Sequence, residues 1–311
     1  MIISASRRTD IPAFYSKWFF SRIKEGYLLV PNPYDKKMLS RVRLDPEVVD
    51  CIVFWTKNPK PMLGQLDHLK DYPYYFQYTI NPYGKEIEIN LPSLEKRIDT
   101  FKSLSDMIGR EKVVWRYDPL FSNEKYTVDF HKEAFSTIAY ALRDHTERCM
   151  LGFIDHYNHI RKAVEKFDIR PLEKEKTEEM AISFRKIIEA YSIQLDTCTV
   201  KTDLRHLGIP GGLCVDHELI ERIIGYPIMA KKDRNQRNIC NCIESIDIGT
   251  YETCLNGCIY CYAIKGNYLT AEGNHKHHYP DSPLMIGTVN DDAVIKDREM
   301  KRLKIDQPRL F

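Results

Sequence analysis

Cys254, Cys258 and Cys261 stand in the run TYETCLNGCIYCYA, a C-x-x-x-C-x-aromatic-C spacing in which Tyr260 is the aromatic. Three thiolates so spaced can wrap three irons of a 4Fe–4S cluster and leave the fourth iron without a protein ligand, open to chemistry. Zinc is the competing metal, and it takes four ligands in a tetrahedron, usually from two C-x-x-C type pairs held apart by a spacer. Upstream there is only a C-x-C pair, Cys240 and Cys242. The spacing favours the cluster, with Cys240 and Cys242 as candidate extra ligands.

The other cysteines read differently. Cys51 in VVDCIVFW and Cys149 in CMLGFI sit in apolar, strand-like runs and are expected to be buried small hydrophobes. Cys198 and Cys214 could join Cys240 and Cys242 in a second metal site, but the expectation is that they do not. Disulfides are not expected, because no export signal marks the chain and reducing compartments keep thiols reduced.

Thiolates need a scaffold to hold them. Apolar runs at 2–6, 49–55, 74–80, 112–117, 149–153 and 193–198 predict six strands, with helices filling the gaps. Leu94, Ile98, Phe101, Leu104 and Ile108 recur at helical spacing and end at Gly109; Met180, Phe184, Ile187, Ile188 and Tyr191 trace another helical face, and Phe14, Trp18 and Ile23 an earlier one. Strands that alternate with amphipathic helices argue for βαβ units and a parallel sheet. No glycine-rich dinucleotide loop follows the first strand, so the expected fold is an α/β, (β/α) barrel-like one. A short seventh strand at 243–248 leads into the cysteine loop, and it is expected to lie beside the first. GIPGG at 208–212 reads as the boundary between a barrel core, 1–207, and a cluster-bearing segment, 208–311, packed on it as one structural domain.

Barrel enzymes place their chemistry at the C-terminal ends of the strands. Those positions are polar here: Ser6, Arg7, Arg8, Thr9 and Asp10; Thr56, Lys57 and Asn58; Thr79 and Asn81; Arg116 and Asp118; Asp155, His156 and Tyr157. Arginines can clamp a carboxylate or phosphate, and an aspartate can accept from a ribose. The candidate catalytic set is Arg7, Asp10, Lys57, Arg116 and Asp118, facing one shared cavity. His275, His277 and His278 lie in a polar tail and read as surface.

The 311 residues, 43% of them hydrophobic, suffice for one large α/β domain. Net charge is +2 on 46 basic and 44 acidic residues, which gives no case for electrostatic capture by nucleic acid or a membrane surface. The opening MIISASRRTDIPAF lacks the apolar core of a signal peptide, and no apolar stretch approaches the ~18 residues of a membrane span. A cytoplasmic location is expected, and an exposed iron would favour anaerobic conditions.

The cysteine run resembles the cluster loop of the radical S-adenosylmethionine (SAM) enzymes, including the aromatic before the third cysteine. Segments covering nearly the whole chain, among them MIISASRRTDIPAFY, DCIVFWTKNPKPML, WRYDPL and HYPDSPLMIG, resemble the uncharacterised prokaryotic family called domain of unknown function 1848. WRYDPL is also similar to the arginine-bearing strand end of spore photoproduct lyases. The resemblance implies a 4Fe–4S cluster on Cys254, Cys258 and Cys261. It implies SAM at the open iron, near Tyr260 and the basic stretch at 231–237 that contains Arg234 and Asn235, and reductive cleavage of SAM to a 5′-deoxyadenosyl radical. A ferredoxin or flavodoxin would supply the electron, and the substrate stays open. The cluster loop here follows residue 250, whereas it usually opens the barrel, so the implied fold is a circularly permuted partial TIM barrel of the radical SAM type. The alternative is a module without catalysis: a fully cysteine-ligated electron-transfer cluster, or a structural zinc completed by Cys240 or Cys242.

Overall fold

The computed structural model describes every residue except 36, 156, 199, 201, 267 and 306–311, so His156 lies outside the described residues. The strands are β1 (Ile2–Ala5), β2 (Tyr27–Pro31), β3 (Met38–Arg43), β4 (Cys51–Thr56), β5 (Tyr74–Thr79), β6 (Val113–Leu120), β7 (Arg148–Phe153), β8 (Gln194–Cys198), β9 (Ile246–Asp247) and β10 (Val294–Asp297). Seven form one parallel sheet in the order β8-β7-β6-β5-β4-β1-β9. All six predicted strands are present, and the short seventh one pairs with β1 through Ile3–Ile246 and Ser4–Asp247.

The sheet is covered by helices, which is why its strands read as continuous apolar runs. Every residue of β1 is buried, and Cys51 and Cys149 are buried as expected. Helix Leu94–Ile108 starts where Ser93 Oγ accepts from Lys96 N, and it stops at Gly109, whose φ of +97° suits glycine. Phe101 and Leu104 of its stripe are fully buried. Helices Val128–Leu142 and Lys174–Glu189 meet through Phe135 and Phe184, stacked with centroids 3.9 Å apart and planes 3° from parallel. Such a pair adds about 0.5–1.5 kcal/mol beyond the area it buries.

One expectation changes. Residues 27–43 are not helical: β2 and β3 form an antiparallel hairpin, and β10 adds to β3 in parallel as a second, three-stranded sheet. The GIPGG stretch runs along β8, where Thr197 N donates to Pro210 O at 3.0 Å and Gly212 N to Thr197 O at 2.8 Å. A side chain at Gly212 would sit 2.6 Å from Met150 Cε, so glycine permits this close approach. Among the described residues no helix is long and apolar enough to cross a membrane.

Candidate metal centre and cavity

Parallel strands deliver their C-terminal ends to one edge of the sheet, and a cavity of about 490 Å³ lies there. Arg7, Asp10, Lys57, Arg116 and Asp118 all line it, and so do Cys254, Cys258 and Cys261. The five polar candidates and the three-cysteine loop, scattered over the sequence, therefore share one space.

The loop is docked by several ties. Tyr15 Oη donates to Thr253 O at 2.7 Å, and Asn90 Nδ2 to Leu255 O at 2.8 Å. Asn90 N donates to Asn256 O at 3.1 Å, and Ile259 N to Ile87 O at 3.1 Å. Gly257, at φ +69°, makes the turn between the first two cysteines against Ile89 and Asn90. Burial pushes the thiols of Cys254, Cys258 and Cys261 up from the usual cysteine range, and for each of them a neighbouring thiol of the loop adds to the rise or Lys57 opposes it. Desolvated thiols are poor anions unless a cation joins them. Among the described residues, no three His, Cys, Asp or Glu side chains are grouped to hold a single metal ion, while the three loop cysteines, each half-buried, line one cavity.

Asp10 is committed to structure. Its carboxylate caps helix Ile11–Phe14 through Ala13 N at 3.1 Å, and it accepts from Thr56 Oγ1 at 2.7 Å, Lys57 N at 2.8 Å and Asn256 Nδ2 at 2.9 Å. Burial raises its pKa, and these four donors oppose the rise. Lys57 Nζ reaches Glu88 Oε1 at 2.8 Å and Tyr260 Oη at 3.0 Å. Glu88 is 1% exposed and also pairs with Arg97 at 3.3 Å, accepts from Asn81 Nδ2 at 3.2 Å and accepts a hydrogen bond from the Tyr260 hydroxyl. Burial pushes the Glu88 carboxyl up, but Lys57 and Arg97 win and hold it below the usual range. Tyr260 thus fastens the cysteine loop to a buried ion network rather than pointing freely at a ligand.

Arg116 and Asp118 lie within β6, which runs on to Leu120 with a shift in its pairing to β7. The Arg116 guanidinium pairs with Asp118, donates to Gln77 Oε1 at 3.3 Å and Cys214 Sγ at 2.8 Å, and lies over the Trp55 ring. Arg7 lies over the same ring and reaches Asp233 at 3.5 Å and Asp247 at 3.9 Å. Asn235 lines the cavity, and its backbone N donates to Asp233 Oδ1. Arg234 is exposed and is not among the lining residues; Arg237 of the same basic stretch is, beside Asp155 at 3.1 Å. Cys240 and Cys242 face the cavity from another side, where Cys242 Sγ accepts from Cys214 N. His275 and His278, expected at the surface, are half-buried against Tyr15.

Two acids, the buried Glu88 and the half-buried Asp247, are not marked by residue type. Glu88 hides in the alternating EIEIN run, and its placement between Ile87 and Ile89 is the only hint of burial. Asp247 of β9 accepts from Ser4 Oγ at 3.1 Å, Ser6 Oγ at 2.5 Å, Arg7 N at 2.8 Å and Gly249 N at 3.0 Å, binding the ends of β1 and β9 together. An acid between two isoleucines in the ESIDIG run was its signal.

Comparison with the curated proteins finds no match to this sequence. A family model does match, over residues 2–263, a span that holds the whole parallel sheet, the cysteine loop and the side chains that dock it. The chain belongs to the family described as Domain of unknown function (DUF1848).

Proposed function

We propose that this protein is a radical SAM-like enzyme in which Cys254, Cys258 and Cys261 hold a 4Fe–4S cluster with one open iron. The observation that carries the reading is that these three thiols and five charged strand-end residues share one cavity. When bound, such a cluster supplies the electron that splits SAM into methionine and a 5′-deoxyadenosyl radical. Three thiols on one wall fit its donor set. Cys242 Sγ accepts from Cys214 N instead, which favours an open iron over Cys242 as a fourth ligand.

The chain's own residues then bind and orient. Arg7 and Arg116, which line the cavity with their guanidinium groups over the Trp55 ring, are suited to hold a carboxylate, and Asp118 to accept from a ribose. Lys57 puts positive charge beside Cys258. Asp10 is a positioning residue. The enclosing sheet and loops limit water at a reactive intermediate. Read from β9, the strand order β9-β1-β4-β5-β6-β7-β8 advances by one neighbour at a time, with the cysteine loop after its first strand. This order supports a circularly permuted partial barrel of the radical SAM type, with a ferredoxin or flavodoxin as electron donor and a substrate still to be identified.

The test is anaerobic reconstitution with iron and sulfide. The reading expects about four irons and four sulfides on the loop cysteines, an electron-spin signal of the reduced cluster that changes when SAM is added, and release of 5′-deoxyadenosine with dithionite. Cys258→Ala should remove all three. A reduced cluster whose signal ignores SAM would indicate the fully ligated electron-transfer module instead.

A further inference from the structure

Four cysteines outside the loop come together from three separate segments: Cys198 at the end of β8, Cys214 before helix His217–Ile224, and Cys240 and Cys242 ahead of β9. Cys214 Sγ and Cys198 Sγ are 3.2 Å apart. Cys242 Sγ accepts from the backbone N–H of Cys214 at 3.2 Å, and Cys240 stands two residues before it. All four cysteines line the cavity.

These sulfurs share an apolar cluster with Cys51, but polar donors also reach them. Backbone N–H groups of Cys214 and Val215 point at Cys242 Sγ from 3.2 and 3.4 Å. The Arg116 guanidinium points at Cys214 Sγ from 2.8 Å. Amide and guanidinium donors aimed at sulfur stabilise thiolate, and hydrogen bonds of this kind accompany metal-bound cysteines. Behind the sulfurs, Val215, Leu219, Ile220 and Ile243 form a dry apolar backing.

We propose that Cys198, Cys214, Cys240 and Cys242 form a second metal centre, a four-thiolate set for a thiophilic cation, separate from the cysteine loop. As thiols they do not surround one point. Metal binding replaces four S–H protons, released to water, by four metal–sulfur bonds. Without a cation the deprotonated set is untenable, because neighbouring thiolates repel one another. Size fits a single ion: metal–sulfur bonds of about 2.3 Å in a tetrahedron put the sulfurs about 3.8 Å apart. The Cys198–Cys214 pair has to open by roughly 0.6 Å, whereas a disulfide would require closing it to about 2.05 Å. The inference does not depend on the radical SAM reading, and its test removes the loop cysteines first.

The test uses the full chain carrying C254A, C258A and C261A, purified anaerobically and checked by circular dichroism. Metal and sulfide are then assayed. One zinc or one iron per chain identifies a single ion, and iron with equal sulfide identifies a cluster; either is the expected retention. Adding C240S and C242S should reduce the bound metal at least tenfold. Should that variant not fold, the apo form of the C254A/C258A/C261A chain is titrated with Co²⁺, and thiolate-to-cobalt absorption saturating at one equivalent is expected. A folded loop-deficient chain that holds no metal and gives no cobalt–thiolate bands overturns the proposal. So does an intact mass 2 Da low without reductant, which would make Cys198 and Cys214 a disulfide.

Discussion

Asn256 Nδ2 donates to Asp10 Oδ2 across 2.9 Å, so the residue between the first two loop cysteines is fixed to the carboxylate that caps the first helix. The bond joins positions 246 residues apart and is buried on both sides. Asn256→Ala leaves a buried carboxylate one donor short, which costs about 1–3 kcal/mol. Urea unfolding of the metal-free chain should show that loss, and reconstituted iron should fall in parallel. Unchanged stability and unchanged iron would mean that the loop is held by its other ties alone.

Glu88 neutralises two buried cations, Lys57 and Arg97. Glu88→Gln strands both, and breaking a buried ion network in this way costs about 3–5 kcal/mol. Its carboxyl is held below the usual range, so its contribution is complete above its unfolded pKa of about 4.3 and is lost as pH falls through the lower folded value. The wild-type unfolding free energy should fall more steeply below about pH 4.3 than that of the variant. Parallel curves would sink this account.

Arg116 offers the cavity a guanidinium that is 6% exposed and already backed by Asp118 and Trp55. Arg116→Ala is expected to weaken SAM binding to the reconstituted protein by about 1.5–3 kcal/mol, the value of a charged hydrogen bond. Arg116→Lys should recover only part of it, because a lysine cannot reproduce the bidentate fork. Titration calorimetry decides; equal affinities in all three proteins would remove Arg116 from the binding site.

His131 is fully buried, and its Nε2 donates to the Phe121 carbonyl at 2.8 Å, which makes Nδ1 the acceptor of the Tyr117 hydroxyl at 2.8 Å. Burial pushes its pKa down to about 4. A histidine neutral when folded but protonating near 6.5 when unfolded adds stability that is complete above about pH 6.5 and drains away as pH falls toward 4. Between pH 7 and 5 the loss should be about 2 kcal/mol. His131→Gln should lack that slope in urea midpoints, and a variant as pH-sensitive as wild type would contradict it.

What the sequence made legible follows from distance along the chain. The strands of the parallel sheet announce themselves because burial on both faces makes each a local apolar run, as in CIVFWT of β4. The shared cavity followed from the rule that strand ends converge. The hairpin of β2 and β3 was hidden because MLSRVR mixes polar and apolar residues, and β10 is exposed throughout. Asp10 and Tyr260 both line the cavity, as residue type suggests, but type alone does not reveal the neighbours that engage their polar atoms. The grouping of Cys198, Cys214 and Cys242 across separations of 16 and 28 residues has no local signature at all.

The Ser4–Asp247 tie of β1 to β9 spans 243 residues and sets a schedule for making the protein. At synthesis rates of about 5–20 residues per second, β1 leaves the ribosome roughly 10–50 s before its neighbour exists. Through that interval the edge of β1 that will receive β9 is bare, an open template for pairing with another nascent chain.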